Sequence, residues 1–231
     1  MTKDKYLSYF DKTYKEKLTA HPIFADRYNG FRRIFETLLD QKKRNFYIIE
    51  TGTLRKRDQW TDGQSSLLFF EFVSFFGGTL MSIDTDKNAL ETCESVLKDA
   101  VGFKKAKFIP VCGNSVSELE KINQSVDLLY LDSYDFDDLN PLPGMLHPLK
   151  EFASAARIRA RNPHLLVAID DNFANGMGKG TYLKAWAKET KKEIIHDGLQ
   201  FISSHRSLGN MNYIKEVFDP VNFEHAKNIA L

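Results

Sequence analysis

The chain has 231 residues, with 32 Lys and Arg against 31 Asp and Glu, and 42% of its residues are hydrophobic, a composition typical of one globular domain. A net charge of +1 disfavours a dedicated nucleic-acid-binding protein, because such domains are normally strongly basic. The two cysteines cannot form a disulfide framework, and neither a signal-peptide pattern nor an apolar run long enough to span a membrane is present, so we expect a cytoplasmic protein.

The first 44 residues combine charged residues with aromatic residues at helical spacing. Two apolar stripes are present, Tyr6, Phe10, Tyr14 and Leu18 in the first and Phe31, Ile34, Phe35, Leu38 and Leu39 in the second. His21-Pro22 separates them, as expected of a break between helices. The pattern predicts two helices, and we expect residues 1–44 to form a helical extension that acts as a lid or packs on the rest of the chain.

From residue 45 onward, short apolar runs alternate with helical stretches. Seven strands are predicted, at 45–50, 79–84, 107–111, 126–132, 165–170, 193–196 and 199–203. Helices are predicted at 64–76, 88–98, 115–122, 148–159 and 182–191. This alternation predicts an α/β fold with a doubly wound, mostly parallel sheet in a single domain, residues 45–231. We expect the stretch from Met211 to pack either on the sheet edge or on a second subunit, so the sequence does not decide between a monomer and a homo-oligomer.

Polar residues follow five of the predicted strands. They are Glu50-Thr51-Gly52-Thr53, Asp84, Gly113-Asn114-Ser115, Asp132 and Asp170-Asp171-Asn172. Asp and Asn also end strands as turn formers, but ligands of open α/β sheets bind at the carboxyl ends of the strands. The glycine fingerprint of dinucleotide-binding folds is absent, whereas Asp84 stands where an acid can accept hydrogen bonds from a ribose. The pattern favours a cofactor that contains adenosine but no diphosphate.

Glu50-Thr51-Gly52-Thr53 resembles the first motif of class I S-adenosylmethionine-dependent methyltransferases. Asp84 resembles their ribose-binding acid, and Gly113-Asn114-Ser115 resembles their adenine-contacting turn. The resemblance covers about residues 45–205 and implies a Rossmann-like sheet of seven strands, the last of them antiparallel, with S-adenosyl-L-methionine as cofactor. The residues that it implies for cofactor binding are Glu50, Thr51, Gly52, Thr53, Ser65, Asp84, Asn114, Ser115 and Asp132.

The chain departs from this family pattern in the first motif. Leu54 stands in place of the usual second glycine, and a long polar loop, residues 55–64, precedes the next predicted helix. This loop, with Trp60 and the segment Asp62-Gly63-Gln64-Ser65, resembles a phage and bacterial subgroup of methyltransferase-like proteins. That likeness indicates the fold more than it indicates the substrate.

An acidic cluster is predicted where the fourth and fifth strands end. Asp132, Asp170, Asp171 and Asn172 offer only oxygen ligands, which suit a hard divalent cation such as Mg²⁺ or Mn²⁺. The arrangement is similar to that of metal-dependent O-methyltransferases of the catechol type and of the macrocin type, which acts on sugars. The sequence does not decide whether Asp170 or Asn172 joins Asp132 and Asp171 as a metal ligand. Alternatively, the acidic residues could cap strands and helices, or two of them could share a proton.

Candidate catalytic and substrate-binding residues lie nearby in the sequence. A hydroxyl group bound to a cation would lose its proton to a general base, for which Asp135 and His147 are candidates, and Asp132 is expected to take part in catalysis as a ligand of that cation. His147-Pro148 could instead only begin a helix. Trp60 and Tyr134 lie on loops where they could stack on a sugar or an aromatic ring, and Lys179 could contact an anionic group of the substrate.

The residues and the resemblance together predict an S-adenosylmethionine-dependent O-methyltransferase that uses a divalent cation and methylates a sugar or glycan hydroxyl. A catechol-like or other small acceptor is the alternative within this class. From other classes, a nicotinamide-dependent oxidoreductase is disfavoured by the missing glycine fingerprint, and a non-catalytic binding module should tolerate the loss of Asp132 and Asp171.

Overall fold

A computed structural model of the chain describes residues 1–100, 102, 105–162, 164–173 and 177–204. Its helices are α1 (Lys3–Thr19), α2 (Arg27–Asp40), α3 (Ser65–Phe76), α4 (Lys87–Lys98), α5 (Ser115–Lys121), α6 (Pro141–Ser154), α7 (Ala156–Arg161) and α8 (Thr181–Glu189). Its strands are β1 (Phe46–Thr51), β2 (Gly78–Asp84), β3 (Lys107–Cys112), β4 (Leu128–Leu131), β5 (Leu166–Ile169), β6 (Glu193–Asp197) and β7 (Phe201–Ser204). The predicted contact of the stretch from Met211 lies outside the described residues.

The seven strands form one sheet in the order β3-β2-β1-β4-β5-β7-β6. Strands β1 to β5 pair in parallel, whereas β7 is antiparallel to both β5 and β6. The doubly wound sheet with an antiparallel last strand is therefore confirmed. Because β2 and β4 pair with opposite edges of β1, the connections leaving these strands diverge there, which opens a crevice at their carboxyl ends.

Helix α6 begins earlier than the sequence predicts. It starts at Pro141, not at Pro148, so His147 and Pro148 lie inside it and the prediction of a helix start at His147-Pro148 is wrong. Proline is favoured at the first helical position because its missing N–H would have no partner there. The loop rich in Asp and Pro before residue 141 thus ends at a helix start.

The two N-terminal helices pack into the same hydrophobic core as the sheet. Phe10 of α1 and Phe31 of α2 are fully buried in one cluster with Phe46 of β1. The hydroxyl groups of Tyr9 and Tyr14 donate to Glu71 Oε2 on α3, at 3.0 and 2.5 Å. The division into residues 1–44 and 45–231 stays a prediction, but α1 and α2 share their core with the remainder of the chain.

No helix in the described ranges is both long and apolar enough to cross a membrane.

Candidate active site

A cavity of about 560 Å³ lies at the carboxyl ends of β1, β2, β4 and β5. Its position beside the neighbouring strands β1 and β4 is the switch point at which open α/β sheets bind ligands, and its volume is within the range of small-molecule sites. Most of its polar lining comes from loops that directly follow the strands. The lining includes Arg27, Gly52, Thr53, Arg55, Gln64, Ser65, Asp84, Asp86, Asp132, Ser133, Asp135, Asp171 and Lys179, together with Phe24, Phe136 and Phe173.

The ends of β1 and β2 meet at one side of this cavity. Gly52 has a φ of +78°, and a Cβ atom added to it would lie 2.5 Å from the carbonyl oxygen of Asp132. Only glycine therefore fits between β1 and the end of β4. Asp84 accepts from the backbone N–H of Thr53 through Oδ2 and from that of Asp86 through Oδ1, at 3.0 and 2.8 Å. Each carboxylate oxygen keeps the capacity to accept a further hydrogen bond, and Asp84 lines the cavity.

Glu50 lies beneath the cavity and does not line it. Its side chain is fully buried, and it accepts hydrogen bonds from Ser82 and, at 3.1 Å, from Ser65. Burial raises the pKa of Glu50 from 4.5 to about 7, although the hydrogen bonds from the serines oppose the shift. A direct contact between Glu50 and a cofactor stays a prediction, because Ser65 stands on the lining and Glu50 does not.

The N-terminus of α3 opens into the same cavity. Gln64 precedes the helix in a left-handed conformation, and its Nε2 donates to the carbonyl oxygen of Lys56 at 2.8 Å. Its Oε1 is buried and has no hydrogen-bond partner among the described residues. A buried acceptor without a partner costs free energy, and Gln64 is one of the residues that line the cavity.

An ion cluster occupies the other side of the cavity. The buried Lys179 donates from Nζ to Asp132 Oδ1 at 2.5 Å and pairs with Asp171 Oδ2 at 3.1 Å. Burial alone would lower the pKa of Lys179, but the charges of Asp132 and Asp171 outweigh it and raise the pKa above its usual value. Burial raises the pKa of Asp132 well above its usual value against the opposing charge of Lys179. Lys179 is therefore held as an ammonium group between two carboxyl groups.

Arg27 of α2 completes the cluster and was missed by the sequence reasoning. It is 4% exposed, and its guanidinium group pairs with Asp170 at 3.2 Å and with Asp171 at 3.0 Å. The signal that could have found it is its spacing, because Arg27 stands four residues before Phe31 on the apolar stripe of α2. An arginine at such a position needs a buried acidic partner.

The four predicted metal ligands do not fit a divalent cation. Two protein cations hold Asp132, Asp170 and Asp171, and Asn172 donates instead to the carbonyl oxygen of Gly198 at 2.7 Å, near the turn between β6 and β7. Among the described residues, no group of three or more His, Cys, Asp or Glu is placed to hold a metal ion. The Asn172 amide group thus binds the segment between β6 and β7 through its nitrogen, and a role of Asn172 as a metal ligand stays a prediction.

Three further predicted residues lie behind the cavity wall or away from it. Ser115 Oγ lies 3.2 Å from His147 Nε2 and 3.3 Å from Ser133 Oγ, and only Ser133 lines the cavity. Ser133 also donates to the buried Glu151 at 2.6 Å. Asn114 is exposed and caps α5 by accepting from the N–H of Ser117. Roles for Asn114, Ser115 and His147 toward a ligand stay predictions.

The remaining predicted side chains divide between the cavity and other surfaces. Asp135 lines the cavity and pairs with Arg55 at 3.1 Å, and Arg55 also pairs with Asp62 at 2.7 Å. Thr51 is fully buried, where its Oγ1 accepts from the N–H of Asp132. Trp60 does not line the cavity, since its ring packs against that of Tyr14 on α1 with centroids 5.6 Å apart.

Tyr134 is exposed and lies against His147, with ring centroids 5.3 Å apart, away from the cavity lining. The aromatic side chains that do line the cavity are Phe24, Phe136 and Phe173. Of these, Phe136 and Phe173 pack against each other with centroids 5.5 Å apart. Phe24 and Phe173 were not expected from the sequence, because the first belongs to a short turn between α1 and α2 and the second to a loop.

Comparisons with known proteins identify the fold. No protein-family model matches the sequence, and no curated protein matches it. An SAH-bound methyltransferase of Podospora anserina is similar in structure, with 15% identity, a TM-score of 0.52 and coverage of 87% of this chain and 93% of that chain. An O-methyltransferase of Bacillus cereus in complex with SAH gives 13% identity, a TM-score of 0.51 and coverage of 87% and 96%.

An O-methyltransferase of Streptomyces achromogenes involved in tomaymycin synthesis, in complex with SAM, gives 14% identity, a TM-score of 0.50 and coverage of 88% and 97%. All three likenesses extend over nearly the whole length of both chains, but the identities are low enough that they establish the fold alone. The strand order and these likenesses confirm that the chain has the Rossmann-like fold of the class I S-adenosylmethionine-dependent methyltransferases.

Proposed function

We propose that this protein transfers a methyl group from S-adenosyl-L-methionine to a hydroxyl oxygen of a small molecule or glycan. The observation that carries the proposal is that one cavity, at the switch point of this fold, holds both Asp84 and the Asp132–Lys179 pair. Asp84 is suited to bind the ribose of the cofactor, and the Asp132–Lys179 pair is suited to bind the reacting hydroxyl group of the acceptor. The solved proteins with this fold that are named above bind SAM or SAH.

Three features of the cavity fit the cofactor. The Asp84 carboxylate has lone pairs left for two ribose hydroxyls, and Gly52 leaves room for close approach. Gln64 and Ser65 bring the N-terminus of α3 to the cavity lining. The lining carries the acids Asp62, Asp84, Asp86, Asp132, Asp135 and Asp171 against the cations Arg27, Arg55 and Lys179. This excess of negative charge attracts a sulfonium cation.

The charges on the cavity lining also limit the kind of acceptor molecule that the site can bind. Arg55 pairs with Asp62 and Asp135, and Lys179 with Asp132 and Asp171. Arg27 pairs with Asp170 and Asp171, so every lining cation in the described part of the chain has an acidic partner, which disfavours an anionic acceptor. Phe136 and Phe173, whose ring planes are tilted by 56° to each other, give an apolar surface against which the C–H face of a sugar ring can pack. We therefore prefer an uncharged sugar or glycan hydroxyl, with a catechol-like ring as the alternative that the same surface admits.

Asp132 is the best-placed general base. Lys179 donates to its Oδ1, its Oδ2 has no partner among the described side chains, and the residue lines the cavity. Burial raises the pKa of Asp132, which improves a carboxylate as a base. Asp135 is a weaker candidate, because its side chain is 81% exposed and is paired with Arg55. No step of this proposal involves a divalent cation, since the carboxyl groups expected to bind it are already paired.

The experiment is a methyl-transfer assay with S-adenosylmethionine carrying a labelled methyl group and a panel of sugars, glycans and catechols. We expect label in a hydroxylated acceptor with the wild-type protein and a loss of about 100-fold or more with Asp132→Asn, the size typical for removal of a general base. Asp197→Asn is the matched control, because Asp197 also pairs with a lysine at 2.5 Å but lies outside the cavity lining. Equal rates for the two variants would contradict the assignment of Asp132.

A further inference from the structure

We propose that Lys179 replaces the divalent cation that the acidic cluster suggests, so that methyl transfer proceeds without a metal ion and the Lys179 ammonium group contacts the acceptor oxygen. This inference rests on the proposed function for its chemistry, but its central claim about cation binding does not depend on activity. It concerns a residue that the sequence assigned to an anionic group of the substrate.

The first support is the hydrogen-bonding capacity of Lys179. An ammonium group has three N–H donors, and the described residues occupy two of them, through Asp132 Oδ1 and Asp171 Oδ2. Lys179 is 2% exposed yet lines the cavity. The third donor therefore has no protein acceptor in the described part of the chain, and the cavity is the place from which an acceptor oxygen can reach it.

The second support is that cations of the protein already pair with every carboxyl group of the cluster. Three carboxyl groups, those of Asp132, Asp170 and Asp171, face two cations, Arg27 and Lys179. Both ends of the Asp171 carboxylate are used, Oδ1 by Arg27 and Oδ2 by Lys179. A divalent cation at this place would have to displace buried ion pairs, which is costly because it leaves a buried charge without its partner.

The third support is the way in which the backbone and Arg27 fix Lys179. The N–H of Lys179 donates to the carbonyl oxygen of Asp171 at 3.0 Å, so the lysine and its acidic partner are joined through the main chain as well. Arg27 holds Asp171 from the opposite side, and its Nη1 donates to the carbonyl oxygen of Thr61 at 2.6 Å. Arg27 is thus a positioning residue, and Lys179 is held ready for a ligand without further rearrangement.

The chemical step follows from this placement. The acceptor hydroxyl oxygen receives the third N–H of Lys179 and gives its proton to Asp132 Oδ2. A bond then forms between that oxygen and the methyl carbon of S-adenosylmethionine, while the bond from this carbon to sulfur breaks and its electron pair stays on sulfur. The products are the methyl ether, S-adenosylhomocysteine and a proton that leaves Asp132 for solvent. Lys179 stabilises the negative charge that develops on oxygen, which is the task of a Lewis acid in metal-dependent transfer.

The first test measures Mn²⁺ binding by the electron paramagnetic resonance signal of the free ion. We expect no binding to the wild-type protein at millimolar Mn²⁺, and we expect binding to Lys179→Ala, which uncovers Asp132 Oδ1 and Asp171 Oδ2. Lys184→Ala is the matched control, because Lys184 pairs with Asp197 at 2.5 Å outside the cavity lining. Micromolar binding of Mn²⁺ to the wild-type protein would overturn the proposal, whether or not the variants fold. A folded Lys179→Ala variant that binds Mn²⁺ no better than the wild type would also overturn it.

The second test measures turnover. Wild-type methyl transfer should be unchanged after removal of metal ions with EDTA, and Lys179→Ala should lower kcat by about 100- to 1,000-fold, as the loss of one donor to a developing oxyanion does. Its affinity for S-adenosylhomocysteine should stay within about threefold of the wild type. Activity that EDTA abolishes and Mn²⁺ restores would overturn the proposal. A protein that binds no S-adenosylhomocysteine would refute the proposed function instead.

Discussion

The backbone N–H of Thr53 donates to Asp84 Oδ2 at 3.0 Å, which joins the ends of β1 and β2 at the edge of the cavity. The bond fixes the orientation of the Asp84 carboxylate, because Oδ1 is held in turn by the N–H of Asp86. The first predicted motif and the predicted ribose acid thus form one unit, although they stand 31 residues apart in the sequence.

Replacing Asp84 should weaken cofactor binding. Asp84→Ala removes the carboxylate proposed to accept from the ribose, and we expect a loss of about 1–3 kcal/mol in the binding of S-adenosylhomocysteine, the size of a buried hydrogen-bonded group. Asp99→Ala is the control, since Asp99 makes only an exposed pair with Arg57. Calorimetric titration gives both affinities, and an unchanged dissociation constant for Asp84→Ala would show that the ribose lies elsewhere.

Gly52 should tolerate no side chain. In Gly52→Ala the new Cβ would lie 2.5 Å from the carbonyl oxygen of Asp132, at a φ of +78°. The clash and the strained backbone should lower the free energy of unfolding by about 1–3 kcal/mol. The clash should also displace Asp132. Urea denaturation measures the first effect and methyl transfer the second, and a variant with wild-type stability would contradict the close approach of β1 to the end of β4.

Glu50 should make stability depend on pH. Burial raises its pKa in the folded protein from 4.5 to about 7, so the folded state holds the proton more tightly than the unfolded chain does. The resulting stability is complete below pH 4.5 and is lost as the pH rises through about 7. A shift of this size corresponds to roughly 3 kcal/mol as an upper bound.

The comparison with Glu50→Gln isolates this effect, because the other titrating groups are common to both proteins. From about pH 5 to about pH 8, the wild type should lose stability relative to the variant by roughly 1–3 kcal/mol. Urea unfolding at the two pH values provides the measurement. If the stabilities of the wild type and of Glu50→Gln changed with pH in the same way, Glu50 would have an ordinary pKa, which would contradict its burial in the structure.

Tyr14 should anchor α1 to the rest of the fold. Its hydroxyl group donates to Glu71 Oε2 at 2.5 Å, within a buried contact between α1 and α3. Tyr14→Phe keeps the ring but removes the donor, and we expect the free energy of unfolding to fall by about 1.5–3 kcal/mol, as for a hydrogen bond to a charged group. Denaturant unfolding monitored by circular dichroism measures the change. Stability equal to that of the wild type would show that α1 is held by ring packing alone.

The sequence was sufficient to predict the strands and the edge of the sheet at which the site lies. Each of β1 to β5 is a short run of apolar residues, and the polar residues that follow stand at the carboxyl ends where open α/β sheets bind ligands. Asp84, Asp132 and Asp171 were placed in this way, and all three line the cavity. Local patterns such as these depend on near neighbours in the chain, and for that reason they can be read from one sequence.

Pairing between distant side chains could not be predicted in the same way. Arg27 reaches Asp170 across 143 positions, and only the packing of α2 on the sheet brings them together. An acidic cluster by itself suggests a metal ion, but the buried Arg27 and Lys179 supply the compensating charge from elsewhere in the chain. The start of α6 was missed because the sequence does not tell which of two prolines begins the helix. Pro141 begins α6, where proline is favoured, whereas Pro148 lies inside the helix.

Titration of the purified protein with S-adenosylhomocysteine, with and without Mg²⁺ or Mn²⁺, tests the central claim most directly. We predict micromolar binding whose affinity and stoichiometry are the same in both conditions, because Asp84, the proposed ribose acceptor, lines the cavity and the acidic cluster is already paired with Arg27 and Lys179. The absence of binding in both conditions would contradict the methyltransferase proposal, and binding that requires the cation would contradict the role of Lys179.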